Sequence, residues 1–262
     1  MPELPDVEAV ARHLRGAVAG RRITRVEVVD RTVVRSPGIR TFARRLRGRR
    51  IRAIGRRGKY LLVYLSGDAV LVGHLRMTGD FVVTSRKAPR PPHTRLVLGM
   101  DGVDVRFIDQ RRFGHVDLLD APKLETFAGL RSLGVEPLTA AFSVDALRRM
   151  LAHRRGSLKA FLLRQDRIAG IGNIYADEVL FEARLHPARQ LRTLHVAEIT
   201  ALHRSIQTVL RQAIAALSRR GAAVGRLVAV REPGGRCPRC GRALRIATIG
   251  GRTTYFCPHC QR

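Results

Sequence analysis

Pro2 and Glu3 put a secondary amine and a carboxylate side by side at the start of the chain. A small residue after Met1 is the usual signal for removal of the methionine, which leaves the Pro2 nitrogen as the expected α-amino group. An α-amine titrates near about 8, against about 10.4 for lysine, so an appreciable fraction is the free nucleophile at neutral pH. Glu3 is an acid directly beside that amine, and Asp6 and Glu8 extend the acidic cluster. The same acids also suit the first turn of a helix, where the dipole favours negative charge. This stretch alone leaves both readings open.

Four thiols form the second candidate site. Cys237, Cys240, Cys257 and Cys260 make two C-x2-C pairs 16 residues apart in CPRCGRALRIATIGGRTTYFCPHC. Thiolates at that spacing close a tetrahedral zinc site on a β-hairpin, and so short a unit has too small a core to hold together unaided. With four sulfurs there is no open position for a catalytic water, so the expected cofactor is one structural Zn2+. All four cysteines fall in the last 26 residues, which favours a metal site in a reducing compartment over a disulfide framework.

Weaker signals lie between these two. QDRIAGIGNIYADEVLFEARLHP reads as a helix end, a glycine-bounded turn and a new helix from Asn173. Amides freed at such a helix start bind anions, and Gly170 and Gly172 are expected to let a phosphate approach. Asn173 equally has the side chain of a plain N-cap. GRRGKYLLVYL sets Lys59 at a loop-to-strand junction. Of the 49 Lys+Arg only Lys59, Lys87, Lys123 and Lys159 are lysines, so a retained lysine stands out. GHLRMTG places His74 and Met77 in a turn, and FIDQRRFG sets Arg111 and Arg112 beside Phe113. A solvated lysine, a core methionine and a strand end would each account for one of these stretches.

Hydrophobic periodicity outlines the scaffold that must hold these groups. Val7, Val10, Ala11, Leu14 and Val18 recur at helical spacing over residues 6 to about 19, and Gly20 stops the run. From there to about 118, ITRVEVVD, YLLVYL, AVLVGHL, RLVLGM and VDVRFID read as strands, punctuated by Ser66-Gly67-Asp68 and Asp101-Gly102. They predict an antiparallel sandwich or barrel with the first helix at its edge. Pro89, Pro91 and Pro92 mark a loop. Helical periodicity returns at 143–153, 157–164, 173–184 and 196–219, followed by a Gly-rich connector at 221–236 and the cysteine module at 237–262.

Composition narrows the partner. A chain of 262 residues with 45% hydrophobic content folds around a sizeable core, and its formal charge of +28 is spread along its length. Such a balance calls for a polyanion, most often nucleic acid, without separating DNA from RNA or an anionic membrane surface. Apolar runs such as YLLVYL are too short to span a bilayer and no charged-then-apolar leader opens the chain, so a cytosolic protein is expected.

Taken together and in this order, Pro2-Glu3, Lys59, the HLRMTG turn, DQRRFG, GIGNIYADE and the four-cysteine hairpin closely resemble the formamidopyrimidine-DNA glycosylase family, which also includes endonuclease VIII. The resemblance spans the whole chain. It implies an α+β protein: an N-terminal helix plus antiparallel β-sandwich at 1–130, a helix-two-turns-helix domain at 131–225 and a zinc finger at 226–262. Damaged double-stranded DNA would lie in the cleft between the domains, bound by a monomer in the bacterial cytoplasm at the nucleoid. By the same resemblance Pro2 attacks C1′ of a flipped nucleotide, Glu3 acts as general acid and base, and Lys59 assists base release. Asn173 and Arg252 would grip the flanking phosphates, while Met77, Arg111 and Phe113 would fill the gap left by the base. His74 in the HLRMTG turn, His93 in PPHTR and Arg154 in HRRGSLKAF fall in DNA-contacting stretches.

The wedge residues and the opening PELPD favour the formamidopyrimidine branch over endonuclease VIII, although Asp6 stands where glutamate is usual. The alternatives are an endonuclease VIII-type enzyme for oxidised pyrimidines and a non-catalytic DNA-binding homologue; loss of Pro2, Glu3 or Lys59 would mark the latter, and all three are present. A zinc-ribbon RNA-binding protein would account for the charge and the cysteines but not for the N-terminus. The best-known members carry a long flexible loop before the zinc finger that folds over 8-oxoguanine. Here only the 16 residues Gly221 to Arg236 separate the last helix from the first cysteine, and GRLVAV within them reads as a strand. The lesion pocket is therefore expected to be open and to favour formamidopyrimidines and hydantoins.

Overall fold

The first helix, α1 (Leu4–Val18), buries Val7, Ala11, Leu14 and Val18, each at most 2% exposed. Spacings of four, three and four residues put them on one face, and that face shares a core with two β-sheets. The computed structural model describes residues 1–220 and 225–262. The chain divides into two compact units, one of Met1–Pro2 with Asp6–Arg131 and one of Glu3–Pro5 with Ser132–Arg262.

In the first unit follow β1 (Arg25–Val28), β2 (Val34–Ser36), α2 (Ile39–Leu46), β3 (Ile51–Arg57), β4 (Tyr60–Leu65), β5 (Ala69–His74), β6 (Gly79–Ser85), β7 (Thr94–Gly99), β8 (Val103–Asp109), β9 (His115–Asp120) and α3 (Ala128–Arg131). One sheet has the order β1-β7-β8-β6 and the other β2-β9-β5-β4-β3. The pairings are antiparallel apart from β2 with β9, which departs from the expected all-antiparallel sandwich. Ile54, Leu61, Val63 and Leu71 of one sheet join Phe81, Leu96, Leu98, Val105 and Phe107 of the other in the core. At about 1.5–3 kcal/mol for each fully buried side chain, this packing is what makes the sandwich rigid. The helix α2 lies inside the stretch expected to be all β. Phe42 and Leu46 are fully buried and Ala43 packs against the same core, while Arg40 and Arg44 stay exposed. Ile39, Phe42, Ala43 and Leu46 do have helical spacing, but two turns are too short to form a helix without those core contacts.

The second unit holds α4 (Val144–Leu151), α5 (Leu158–Leu162), α6 (Asn173–Glu182), α7 (Val196–Arg220), β10 (Arg245–Ile249) and β11 (Arg252–Phe256). Ser143 and Ser157 cap α4 and α5 by accepting from the N–H of Ala146 and Ala160. Every residue of α6 from Tyr175 to Phe181 is buried, as expected for a helix packed on all sides. The hairpin β10–β11 turns through Gly250 and Gly251, whose φ values of 61° and 72° suit a tight hairpin turn. Phe181 of α6 packs with Leu227, Cys237 and Cys257.

The strand expected at 225–230 does not form. Residues Val228–Val230 make a 3-10 turn, because the buried Glu178 carboxylate accepts from the N–H of Arg226 at 2.9 Å and of Val228 at 2.6 Å. Those amides are satisfied by a side chain, so no sheet partner is needed. Residues 221–224 of the expected Gly-rich connector lie outside the described residues.

Candidate active site

Gly172 is the N-cap of α6, and Asn173 is its first helical residue. Asn173 is therefore not the cap that its side chain suggests. The free amides at this helix start point at Glu3. Its Oε2 accepts from Gly172 N–H at 2.7 Å and Tyr175 N–H at 3.2 Å, and its Oε1 from Ile174 N–H at 2.8 Å. Glu3 is only 2% exposed, and the positive end of the helix dipole favours its negative charge. Hydrogen bonds to a charged group are worth about 1.5–3 kcal/mol each, more than the roughly 1–2 kcal/mol of backbone entropy lost per ordered residue. The N–H of Leu4 donates to Gly170 O at 3.0 Å as well, so residues 3 and 4 are both tied to the GIGN turn.

The glycines of GIGN are explained by the same contact. A Cβ on Gly172 would lie 2.4 Å from Glu3 Cδ, and one on Gly170, whose φ is +93°, would lie 2.6 Å from Leu4 Cβ. The anion expected at this helix start is thus the protein's own carboxylate, and the glycines make room for residues 3 and 4.

A second cluster fixes the hairpin. Lys159, fully buried, approaches Asp177 Oδ1 at 2.7 Å and donates to Thr254 Oγ1 at 2.7 Å. Arg231 reaches Asp177 Oδ2 at 2.8 Å, and Tyr255 N–H donates to the same oxygen at 3.2 Å. The Thr253 carbonyl accepts from Asn173 Nδ2 at 3.0 Å, from Arg231 at 3.1 Å and from Lys159 at 3.3 Å. Burial pushes the Lys159 ammonium down and the Asp177 carboxyl up, opposed by their mutual attraction. The outcome is that Asn173 and the exposed Arg252, next to Thr253, are held on one patch. Arg154 also lies in the second unit, exposed on the segment between α4 and α5.

The four cysteine sulfurs lie within 4.8 Å of one another, with Cys240 and Cys257 3.5 Å apart and Cys237 and Cys260 3.9 Å apart. A zinc ion with Zn–S bonds of about 2.3 Å needs sulfurs about 3.8 Å apart, so the donor set fits one tetrahedral ion. A backbone hydrogen bond from Arg242 holds the Cys240 thiol down to about 6, whereas burial pushes the Cys257 and Cys260 thiols up, so a bound metal would have to displace protons from the latter two.

The other predicted residues belong to the first unit, as does Pro2. Lys59 sits in the two-residue turn between β3 and β4, after Gly58 with its φ of 56°, and is only 8% exposed. It is not the solvated charge that a turn lysine usually is. His74 is buried edge-on to Tyr60 and stacked on His115, with ring centroids 4.6 and 5.6 Å away. Burial above all, with Arg76, His115 and Lys59 nearby, pushes its pKa down to about 3. A neutral buried imidazole offers no cation to a phosphate. Its Nδ1 instead accepts from Arg76 N–H at 3.0 Å and so supports the Met77 turn. Met77, Arg111 and Phe113 are exposed on two loops, and His93 is exposed at the entry to β7 with a φ of 61°.

Sequence reasoning missed the Glu3 cradle and the Asp177 and Arg231 partners of Lys159. The scarcity of lysine was the one available signal for Lys159.

The chain matches the formamidopyrimidine-DNA glycosylase N-terminal domain over residues 1–116, the H2TH domain of the same enzymes over 133–221, and a zinc finger found in FPG and IleRS over 234–262. These define a zinc-finger DNA glycosylase. A formamidopyrimidine-DNA glycosylase of Moorella thermoacetica is 45% identical over 256 residues, 93% of each chain. The Lactococcus lactis Fpg in complex with DNA containing an oxidised pyrimidine has a TM-score of 0.91 and 33% identity, covering 100% of both chains. The same Lactococcus enzyme with abasic-site DNA gives 0.90 and 32% over 99% of each. The chain belongs to the formamidopyrimidine-DNA glycosylase family.

Proposed function

We propose that this protein excises oxidised or ring-opened bases from damaged duplex DNA and cleaves the resulting abasic site through a Schiff base on Pro2. The observation that carries the reading is Glu3, a buried carboxylate fixed by three amides directly after the candidate nucleophile. With Met1 removed, the Pro2 nitrogen attacks C1′, the bond from C1′ to the base breaks, and Lys59 supplies the proton that the leaving base takes up. Glu3 takes the proton that the Pro2 nitrogen loses on bonding to C1′ and passes it to the ring oxygen as the sugar opens, leaving an iminium between Pro2 and C1′. That positive charge acidifies the C2′ proton, so β-elimination expels the 3′ phosphate and δ-elimination the 5′ phosphate. Water then hydrolyses the imine and returns the amine. Asn173 and Arg252 hold the phosphates flanking the flipped nucleotide, His93 and Arg154 add contacts further out, and Met77, Arg111 and Phe113 fill the vacated stack.

Chemistry belongs to residues 1–130, DNA binding to the helical stretch 131–225, and phosphate grip to the zinc finger at 226–262, in a cytoplasmic monomer. No helix among the described residues is long and apolar enough to cross a membrane. Borohydride trapping on an abasic duplex tests the reading. Wild-type protein should be captured covalently, whereas Pro2→Gly protein, or protein with an uncleaved N-terminal tag, should bind DNA without being captured. Undiminished capture of both would refute Pro2 as the nucleophile.

A further inference from the structure

The two loops that carry Met77 and Arg111 to Phe113 meet on one buried carboxylate. Asp109 ends β8 and is fully buried. Its Oδ1 accepts from the Thr78 hydroxyl at 2.5 Å and from Arg111 N–H at 3.2 Å, and its Oδ2 from Gly114 N–H at 2.7 Å. Thr78 Oγ1 shares the Arg111 N–H at 3.1 Å. The backbone of Asp109 extends the junction: its N–H donates to His93 O at 3.0 Å and its carbonyl accepts from Arg95 Nε at 2.8 Å. Gly114 has no room for a side chain, since a Cβ there would lie 2.6 Å from Phe107 Cζ and 3.1 Å from Asp109 Oδ2. The loop tips are open by contrast. Met77 is 37% and Phe113 51% exposed, and the Arg111 guanidinium lies 4.8 Å over the Phe113 ring.

We propose that Asp109 is a positioning residue that locks both loops into one preformed wedge, so that Met77, Arg111 and Phe113 enter the DNA stack as a unit. This rests on the reading of those three side chains as the wedge. Unstacking a base pair costs a few kcal/mol, and a wedge that must also order two loops loses part of its binding energy to that ordering. Asp109 removes the ordering step beforehand. The amides of Arg111 and Gly114 can only donate, and they approach different oxygens, so both oxygens must accept. A carboxylate meets that demand and an amide of the same shape does not.

Asp109→Asn is therefore the informative variant, read in two assays. The first follows unstacking and excision in a lesion duplex, reported by 2-aminopurine opposite the lesion. The second is borohydride trapping on a single-stranded abasic oligonucleotide, where nothing has to be unstacked. Losing one buried hydrogen bond of this kind should slow unstacking and duplex excision about tenfold or more, with single-strand trapping unchanged. Thr78→Val, which keeps both amide bonds and so the fold, should give a smaller slowing that Thr78→Ser restores. Wild-type unstacking rates in Asp109→Asn protein, or equal losses on single strand and duplex, would overturn the proposal. Failure of wild-type protein to trap on an abasic duplex would instead overturn the glycosylase reading itself, and the proposal with it.

Discussion

The Lys159 ammonium lies 2.7 Å from Asp177 Oδ1 with the two side chains 0% and 1% exposed, and this pair holds the strand that begins at Arg252. Lys159→Met keeps the length of the side chain and removes the charge. Breaking a buried pair costs about 3–5 kcal/mol, and because Arg231 still faces Asp177 the lower end applies. The expected result is a fall in Tm of about 5–10 °C, with zinc retained and strand cleavage reduced as Asn173 and Arg252 lose their register. Calorimetry with a zinc assay checks it; an unchanged Tm would show that the pair is dispensable.

Gly172→Ala tests the Glu3 cradle without touching an ionisable group. The backbone of Gly172, at φ −124°, is one that any residue adopts, so the added methyl acts only through its approach to Glu3. With Glu3 in its proposed role, displacing the carboxylate by about 1 Å costs on the order of a hundredfold in rate. The variant should lose single-turnover excision to that degree while keeping bound zinc and DNA affinity. Full activity would mean that Glu3 does not need its amide cradle.

Acid stability should report the two buried histidines of the first unit. Burial first, with Arg35 nearby, pushes the pKa of His115 down to about 4, and His74 lies at about 3. Their folded values are below the ordinary 6.5, so the unfolded chain takes up protons first. The stability they confer is complete above about pH 6.5 and is lost as pH falls towards the folded values. By pH 4.5 the loss amounts to about 2–3 kcal/mol for each histidine. Protonation of the zinc thiolates acts in the same direction, so the measurement is the difference between wild-type protein and His115→Gln in denaturant titrations from pH 7.5 to 4.5. Parallel pH dependences in the two proteins would exclude His115 as a contributor.

What the sequence revealed of this fold divides along physical lines. The stripe of α1, the strands β4 and β8 and the cysteine hairpin are written in local periodicity and spacing, and each appears at or close to its expected position. Residues 39–46 and 225–230 were misread because tertiary contacts decide them: Phe42 and Leu46 find a core, and Glu178 captures two amides. The site shows the same division. Pro2, Glu3, Lys59 and the cysteines are recognisable as residue types in order along the chain. That Gly172 exists for Glu3, or that Lys159 and Asp177 anchor Thr254, involves partners up to 169 residues apart, and no local pattern encodes those meetings.

The connector before the zinc finger sets the last prediction. Glu178 holds Arg226 and Val228, Leu227 is buried against Phe181 and Cys237, and Arg231 is fixed on Asp177. Only residues 221–225 stand between α7 and this anchored stretch, and five residues reach at most about 18 Å when fully extended. The anchored residues cannot leave to cover a flipped base without exposing Leu227 and stranding a buried carboxylate. A long cap of the kind that folds over 8-oxoguanine therefore has no chain to be made from. A capped pocket selects one base by close hydrogen bonds, whereas an uncapped one selects chiefly by how readily the base leaves the stack. Formamidopyrimidines and hydantoins, which stack poorly, should be excised faster than 8-oxoguanine, and abasic sites should be cleaved readily. Single-turnover rates on matched duplexes decide it: if 8-oxoguanine opposite cytosine is the fastest base-excision substrate, the uncapped pocket is refuted while the glycosylase assignment stands.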